Sequence, residues 1–115
     1  MPVVGADTHQ TLSGVAVGDA SVLEQVLGLR EAALESSALD ARTFGLVKIA
    51  ALIALDAPPA SYAWQVANAL DGGASAEQIL AVLQAVAPQV GMPRVVAAAP
   101  EIMLALGLAL PEGAE

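Results

Sequence analysis

The stretch LDARTFGLVKIAALIAL, residues 39–55, decides the fold of this chain. Asp40 is a good N-cap, because a short carboxylate side chain can accept a hydrogen bond from the first turn of a helix. The residues after it predict a helix over 41–55 that is apolar almost all round, and such a helix is buried on most sides. The sequence Asp-Ala-Pro-Pro at 56–59 ends it, because proline has no backbone donor and restricts the residue before it.

The sequence downstream of this helix predicts three more helices. One runs from about 60 to 70 and stops at Gly72-Gly73, where a glycine can adopt left-handed geometry; it should pack antiparallel to the helix before it. Ser75 and Gln78 form a capping box that starts the next helix, which Pro88 and Gly91 close. The last begins near Pro93 and ends at Gly107, with a kink or a split at Ala99 because Pro100 follows.

The N-terminal part of the chain divides into an arm and a helix. Residues 2–18 show no helical period and contain three glycines, which predicts an extended or poorly ordered arm. A helix capped by Asp19 or Ser21 then runs to about Ser37. No strand-like alternation is visible, so the predicted fold is all-α: an arm (1–18), one helical domain (19–110) and a C-terminal tail (111–115).

The composition predicts burial between subunits. Hydrophobic residues make up 57% of the chain and charged residues 14%, and the mean hydropathy is +0.67. A domain of 115 residues has a high ratio of surface to volume, so one copy cannot hide this much apolar side chain. No apolar run reaches the roughly 18 to 20 residues that cross a bilayer. We therefore expect a homo-oligomer and no membrane insertion.

Charge and cysteine content exclude several functions. A net charge of −8 disfavours nucleic acid and anionic lipid as partners. With no cysteine there is no disulfide, thiolate or cysteine metal site. His9 is the only histidine and has no carboxylate cluster around it, so no metal and no cofactor are predicted. The start of the chain lacks the pattern of a signal peptide, which predicts a cytoplasmic location.

Three segments occur in a characteristic order between residues 39 and 107: LDARTFGLVKIAALIAL, SYAWQVANALDGGASAEQ and VGMP. In this order they resemble the carboxymuconolactone decarboxylase family, which includes the alkyl hydroperoxidase D-like thiol enzymes. The resemblance implies a helical bundle with an antiparallel central pair, assembled as a trimeric or hexameric ring.

The chain departs from the family where the family has its catalytic residues. The redox branch has a Cys-x-x-Cys pair and, four residues later, a His; aligned on Ala-Leu-x-x-Gly, these positions are Pro58, Ser61 and Gln65. Without a thiolate and a resolving thiol, cysteine-based peroxidase or disulfide reductase chemistry is excluded. The decarboxylase branch typically has a His at the position of Gln65 and a Glu at or near that of Ser61. Glutamine does not titrate, which argues against that mechanism as well.

A polar stripe remains on the helix that would have carried this chemistry. Ser61, Gln65 and Asn68 follow one another at i, i+4 and i+7 and so share one face. In one interpretation they line a small pocket for a neutral or weakly polar ligand, with Tyr62 or Trp64 as a wall. In the other, this face meets solvent or a second subunit. The opposite side, Ala63, Val66 and Leu70, is predicted to be core.

Two cations are further candidates for ligand binding. Lys48 lies in the most apolar helix, where it either serves as a base or anion contact or reaches an interface or a carboxylate. Arg94 follows Gly-Met-Pro at a helix start, where it either holds a carboxylate of a ligand or forms a surface salt bridge.

These residues lead to two hypotheses of function. The favoured hypothesis is a non-catalytic oligomer that binds a small molecule or serves as a scaffold. The alternative is a cofactor-free lyase or decarboxylase that acts on a small carboxylated or lactone metabolite.

Overall fold

The computed structural model describes residues 3–27 and 34–114, and the described part contains helices and no strand. We number the helices α1 (Ala6–Ala16), α2 (Ala20–Leu27), α3 (Ala41–Leu55), α4 (Pro59–Asp71), α5 (Ala76–Val90) and α6 (Met92–Ala105). Residues 34–36 are also helical. The predicted all-α class is confirmed. None of the described helices has the length and hydropathy that crossing a membrane requires.

Side-chain caps set the starts of α3 and α5 as predicted. The Asp40 carboxylate accepts a hydrogen bond from the backbone N–H of Thr43 at 2.7 Å, and this bond lowers the pKa of Asp40. At α5 the Ser75 hydroxyl accepts from the Gln78 N–H at 3.1 Å, while the Gln78 side chain accepts from the Ser75 N–H at 3.0 Å. Both helices begin where the sequence predicts because these bonds satisfy donors that the first turn leaves open.

The N-terminal prediction is partly wrong. Residues 6–16 are not an extended arm but helix α1, which packs on α2 and contains no buried residue. The two helices approach closely at Gly14, where a Cβ would lie 2.6 Å from a methyl carbon of Val22. A short helix without an apolar stripe gives little periodic signal in the sequence. The contact seen for this helix in the described residues is its packing against α2. The helix predicted to run to Ser37 begins at Ala20, and its course through residues 28–33 lies outside the described part of the chain.

Two prolines do not act as predicted. Pro88 lies inside α5, which continues to Val90 and ends at Gly91, and Pro100 lies inside an uninterrupted α6. The split predicted at Ala99 is therefore wrong, whereas a kink stays a prediction. A proline has a φ compatible with a helix and removes only one backbone bond. At Pro100 the bond lost is to the carbonyl of Val96, which belongs to an exposed residue on the outer side of the helix.

Helix α3 is the centre of the bundle. It packs against α4, α5 and α6, and α4 packs in turn on α6. Two close approaches fix the α3–α4 register: a Cβ at Gly45 would lie 2.7 Å from the Ala69 Cα, and a Cβ at Gly72 would lie 2.8 Å from the carbonyl oxygen of Ala41. Later residues of α4 meet earlier residues of α3, so the pair is antiparallel, as predicted.

The core is small and is built mainly from these two helices. Its buried apolar members are Ile49, Ile53, Tyr62, Val66, Ala69, Ala74, Ile79, Ala98 and Ile102. The predicted core side of α4 is only partly right, because Val66 is buried whereas Ala63 and Leu70 are exposed. The buried face of α4 is rotated toward Tyr62 and Ala69, since Ala69 is the residue that meets Gly45.

Candidate functional site

The polar stripe of α4 is more buried than a solvent face would be. Gln65 is only 8% exposed, and Ser61 and Asn68 are half-buried. Two atoms of the stripe are fully enclosed without a hydrogen-bond partner: the Gln65 Oε1 and the Asn68 Nδ2. One is an acceptor and the other a donor, three residues apart on the helix.

Enclosed polar atoms of this kind are costly. Most buried polar atoms in native proteins are paired, and an unpaired one costs about 1–3 kcal/mol in lost hydration. Both orphaned atoms are on one stripe of one helix, and because both are enclosed, a group from outside reaches them only when the surrounding side chains move. Gln65 and Asn68 therefore form an incomplete polar site in the isolated chain.

The register of α3 against α4 places Lys48 beside this stripe. Gly45 of α3 meets Ala69 of α4, and the two helices are antiparallel. The residue four after Gly45 is therefore level with Gln65, which is four before Ala69. Lys48 is three after Gly45 and so lies one residue before that level. Successive residues of a helix are rotated by about 100°. Seen from the point where α4 contacts α3, the side chains of Gln65 and Asn68 therefore lie to one side of the line that joins the two helix axes. Because the helices are antiparallel, Lys48 turns to the same side. We call this side, with Lys48, Ser61, Gln65 and Asn68, the polar flank.

The other flank of the α3–α4 pair carries the apolar core. By the same helical geometry, the opposite side of the helix pair carries Ile49, Ile53 and Val66. Each of these side chains is fully buried. The helix pair is thus amphipathic as a unit. It has one flank filled by apolar side chains and one flank on which polar side chains are buried.

Lys48 itself is half-buried. Its Nζ lies 4.7 Å from the centre of the Phe44 ring, within the distance of a cation–π contact. This contact holds the ammonium group along α3 and so keeps a positive charge on the polar flank.

Two aromatic candidates differ in their surroundings. Tyr62 was predicted as a pocket wall, but it is 2% exposed and belongs to the core. Burial raises the pKa of its hydroxyl, and the negative charges of Asp56 and Glu101 raise it further, so the phenol stays protonated. Trp64 is half-buried and follows Ser61 by three residues, which places it on the edge of the polar stripe.

Arg94 is exposed in the first turn of α6. Its predicted contact with a ligand carboxylate stays a prediction. Within the described residues, no group of three His, Cys, Asp or Glu side chains has the arrangement of a metal site. The residues assigned to the polar flank offer hydrogen bonds from Ser61, Gln65 and Asn68 and one cation, Lys48.

Sequence reasoning missed an apolar groove between α5 and α6. Its volume is about 390 Å³, and Ile79 and Ile102 form its buried floor. The spacing of Ile79 and Leu83, and of Ile102 and Leu106, at four residues was the available signal. Periodicity showed that these residues share a face but not that the two faces leave a gap.

Comparison with known proteins supports the resemblance found in the sequence. The model of the carboxymuconolactone decarboxylase family matches residues 20–102, which include α2 to α5 and most of α6. Searches of curated proteins and of solved structures found no match. The family model covers well over half of the sequence, and this chain belongs to the carboxymuconolactone decarboxylase family.

Proposed function

We propose that this protein is a non-catalytic member of its family that binds a small molecule on the polar flank of a homo-oligomer. The observation that carries the proposal is the pair of buried, unpartnered atoms, Gln65 Oε1 and Asn68 Nδ2. A ligand that the surrounding side chains admit by moving, and that bonds to both atoms, removes a cost that the isolated chain otherwise retains. Gln65, Asn68 and Ser61 do not titrate near neutral pH, so they hold a molecule but do not move its protons.

The assembly is part of the proposal. Val47 and Leu55 on α3, Leu80 on α5 and Leu104 on α6 are each more than half exposed. Apolar side chains spread over three helices favour contacts with further copies of the chain, and we propose the trimeric or hexameric ring that the family resemblance implies. The cytoplasmic location inferred from the sequence stays a prediction.

One observation favours a second candidate function. Lys48 is a cation on the same flank as Gln65, where it would attract the carboxylate of a small metabolite. In this alternative the protein is a cofactor-free lyase acting on a carboxylated or lactone substrate. It requires a general acid, and Lys48 is the titratable residue assigned to the polar flank.

Native mass spectrometry on protein purified gently from its own host tests both parts of the proposal. We expect a ring that retains a stoichiometric small molecule, which the Gln65→Leu variant loses. The matched control is Gln84→Leu, since Gln84 is exposed on α5 and its replacement should leave the ligand in place. A monomer at low micromolar concentration would contradict the assembly.

A ring that never carries a ligand would contradict the binding role. Turnover of a lactone or carboxylated substrate that disappears in Lys48→Met but persists in Arg42→Met would replace the proposal with the lyase. Arg42 is an exposed cation on the same helix and serves as the matched control.

A further inference from the structure

The groove between α5 and α6 is separate from the polar flank, because no polar-flank residue lines it. Its volume of about 390 Å³ lies within the range of roughly 300–1,000 Å³ that is usual for ligand pockets. Ile79 and Ile102 form its buried floor, whereas Leu80 and Leu108 at its edge are about half exposed. The groove is therefore an apolar concavity that solvent and small solutes reach.

The length of the groove limits what can occupy it. Residues early in α5 and late in α6 line it together, so the two helices run antiparallel along it. At about 1.5 Å per residue, the lining stretches 76–83 and 99–106 each extend about 10 Å. A bound helix has a pitch of about 5.4 Å, so fewer than two of its turns would be in contact. The groove therefore suits a short apolar chain better than a helix of a partner protein.

The charge beside the groove favours a cation. Among the described residues that line it, Glu77 is the charged one, and it is exposed in the first turn of α5. The whole chain has 12 acidic and 4 basic residues. A second copy over the groove would therefore bring more negative charge toward Glu77, and an anionic amphiphile would be repelled in the same way. A cationic head group would be attracted instead.

We infer that the α5–α6 groove binds a small cationic amphiphile, an amine on an unbranched apolar chain of about eight carbons, which matches a length of about 10 Å. The chain lies between the helices on Ile79 and Ile102, and the ammonium group lies beside Glu77. Each methylene removed from water strengthens binding about fourfold, whereas an ion pair with an exposed carboxylate adds less than that of two methylenes. Apolar contact thus supplies most of the affinity, and Glu77 selects the charge of the head group. This site is independent of binding at the polar flank.

The experiment uses three probes of equal chain length: n-octylammonium, n-octanol and n-octanoate. The full-length protein is titrated with each probe below the concentration at which it forms micelles, and calorimetry gives the Kd. Spectra of ¹³C-labelled methionine methyl groups locate the probe, because Met103 lines the groove whereas Met92, 77% exposed, does not.

We expect octylammonium to shift the Met103 signal and leave the Met92 signal in place. It should bind at least about threefold more tightly than octanol and about tenfold more tightly than octanoate. n-Butylammonium has the same charge but four fewer methylenes, so it should bind at least about a hundredfold more weakly than octylammonium.

Two variants assign the probe to the groove. Glu77→Gln keeps the size of the side chain and removes its charge, so it should bind octylammonium and octanol alike, whereas the control Glu35→Gln, at an exposed carboxylate, should keep the preference. Ala76→Leu adds bulk at an exposed position on the edge of the groove and should weaken all three probes. Met103 also lines a second cavity, against the C-terminal tail, but Ala76 and Glu77 do not, so the variants distinguish the two cavities.

Three results overturn the inference, and they differ in what they mean for the proposed function. Octanol or octanoate that binds as tightly as octylammonium shows that Glu77 does not select the head group. Octylammonium binding that Ala76→Leu leaves unchanged and Gln65→Leu abolishes places the probe on the polar flank, which favours the proposed function. If no probe shifts Met103, the groove holds no amphiphile, and contacts between Met103 and another subunit would identify a second copy as its occupant. The proposed binding at the polar flank is unaffected by that result.

Discussion

Gln65→Leu should stabilise the ligand-free protein while it abolishes binding. The Gln65 side chain is 8% exposed, and its Oε1 atom is enclosed without a donor. Leucine has a similar volume, a comparable helix propensity and no polar atom, so the substitution removes a buried unpaired group without opening a large cavity.

The size of this effect follows from the cost of the unpaired acceptor. Leaving such an atom buried costs about 1–3 kcal/mol, and repacking of the branched side chain takes back part of that gain. We expect the free energy of unfolding to rise by about 1–2 kcal/mol. For a domain of this size that corresponds to an increase in Tm of roughly 3–10 °C.

Urea denaturation at a fixed subunit concentration measures the change, because the stability of an oligomer depends on protein concentration. The control variant Gln84→Leu alters an exposed glutamine and should stay within about 0.5 kcal/mol of the parent. A Gln65→Leu variant whose free energy of unfolding is lower than that of the parent by about 1 kcal/mol or more would refute the reasoning. Such a loss means that the Oε1 atom has a partner in the assembled protein.

Three further predictions concern the packing, the capping and the buried tyrosine of the bundle. Gly45→Val should destabilise the α3–α4 pair by about 1–3 kcal/mol in urea denaturation, because its Cβ would lie 2.7 Å from the Ala69 Cα. Gly5→Val, where a Cβ meets nothing within 4 Å, is the control, and equal losses would show that the close approach is unimportant. Ser75→Ala should cost about 0.5–2 kcal/mol in the same assay through loss of the capping box, and an unchanged midpoint would contradict this. The raised pKa of Tyr62 should stabilise the fold below pH 10.0, its ordinary value, and this stability should be lost as pH rises through the raised value. The phenolate absorbance of this only tyrosine measures the shift, Tyr62→Phe should abolish the alkaline dependence, and a midpoint at or below the ordinary value would contradict it.

The sequence predicts which residues of α4 form the polar stripe, but it does not predict which of them are buried. Helical spacing places Ser61, Gln65 and Asn68 on one face, but it does not say how deeply each is buried. That depends on the side of α4 that α3 covers, which the close approach of Gly45 to Ala69 decides. The same contact turns Tyr62 into the core instead of a pocket.

The sequence by itself determined the helices whose ends have local causes. These local causes are the Asp40 cap, the capping box at Ser75 and the left-handed Gly73. Each acts through hydrogen bonds or backbone angles of neighbouring residues, so each can be identified without knowledge of the fold. It also determined that this chain has no thiolate, because it contains no cysteine. Only the tertiary structure decided that α1 is helical, that Pro100 leaves α6 unbroken, and that Gln65 is the buried member of the polar stripe. These outcomes depend on which neighbour or solvent meets each group, and packing between distant segments sets that.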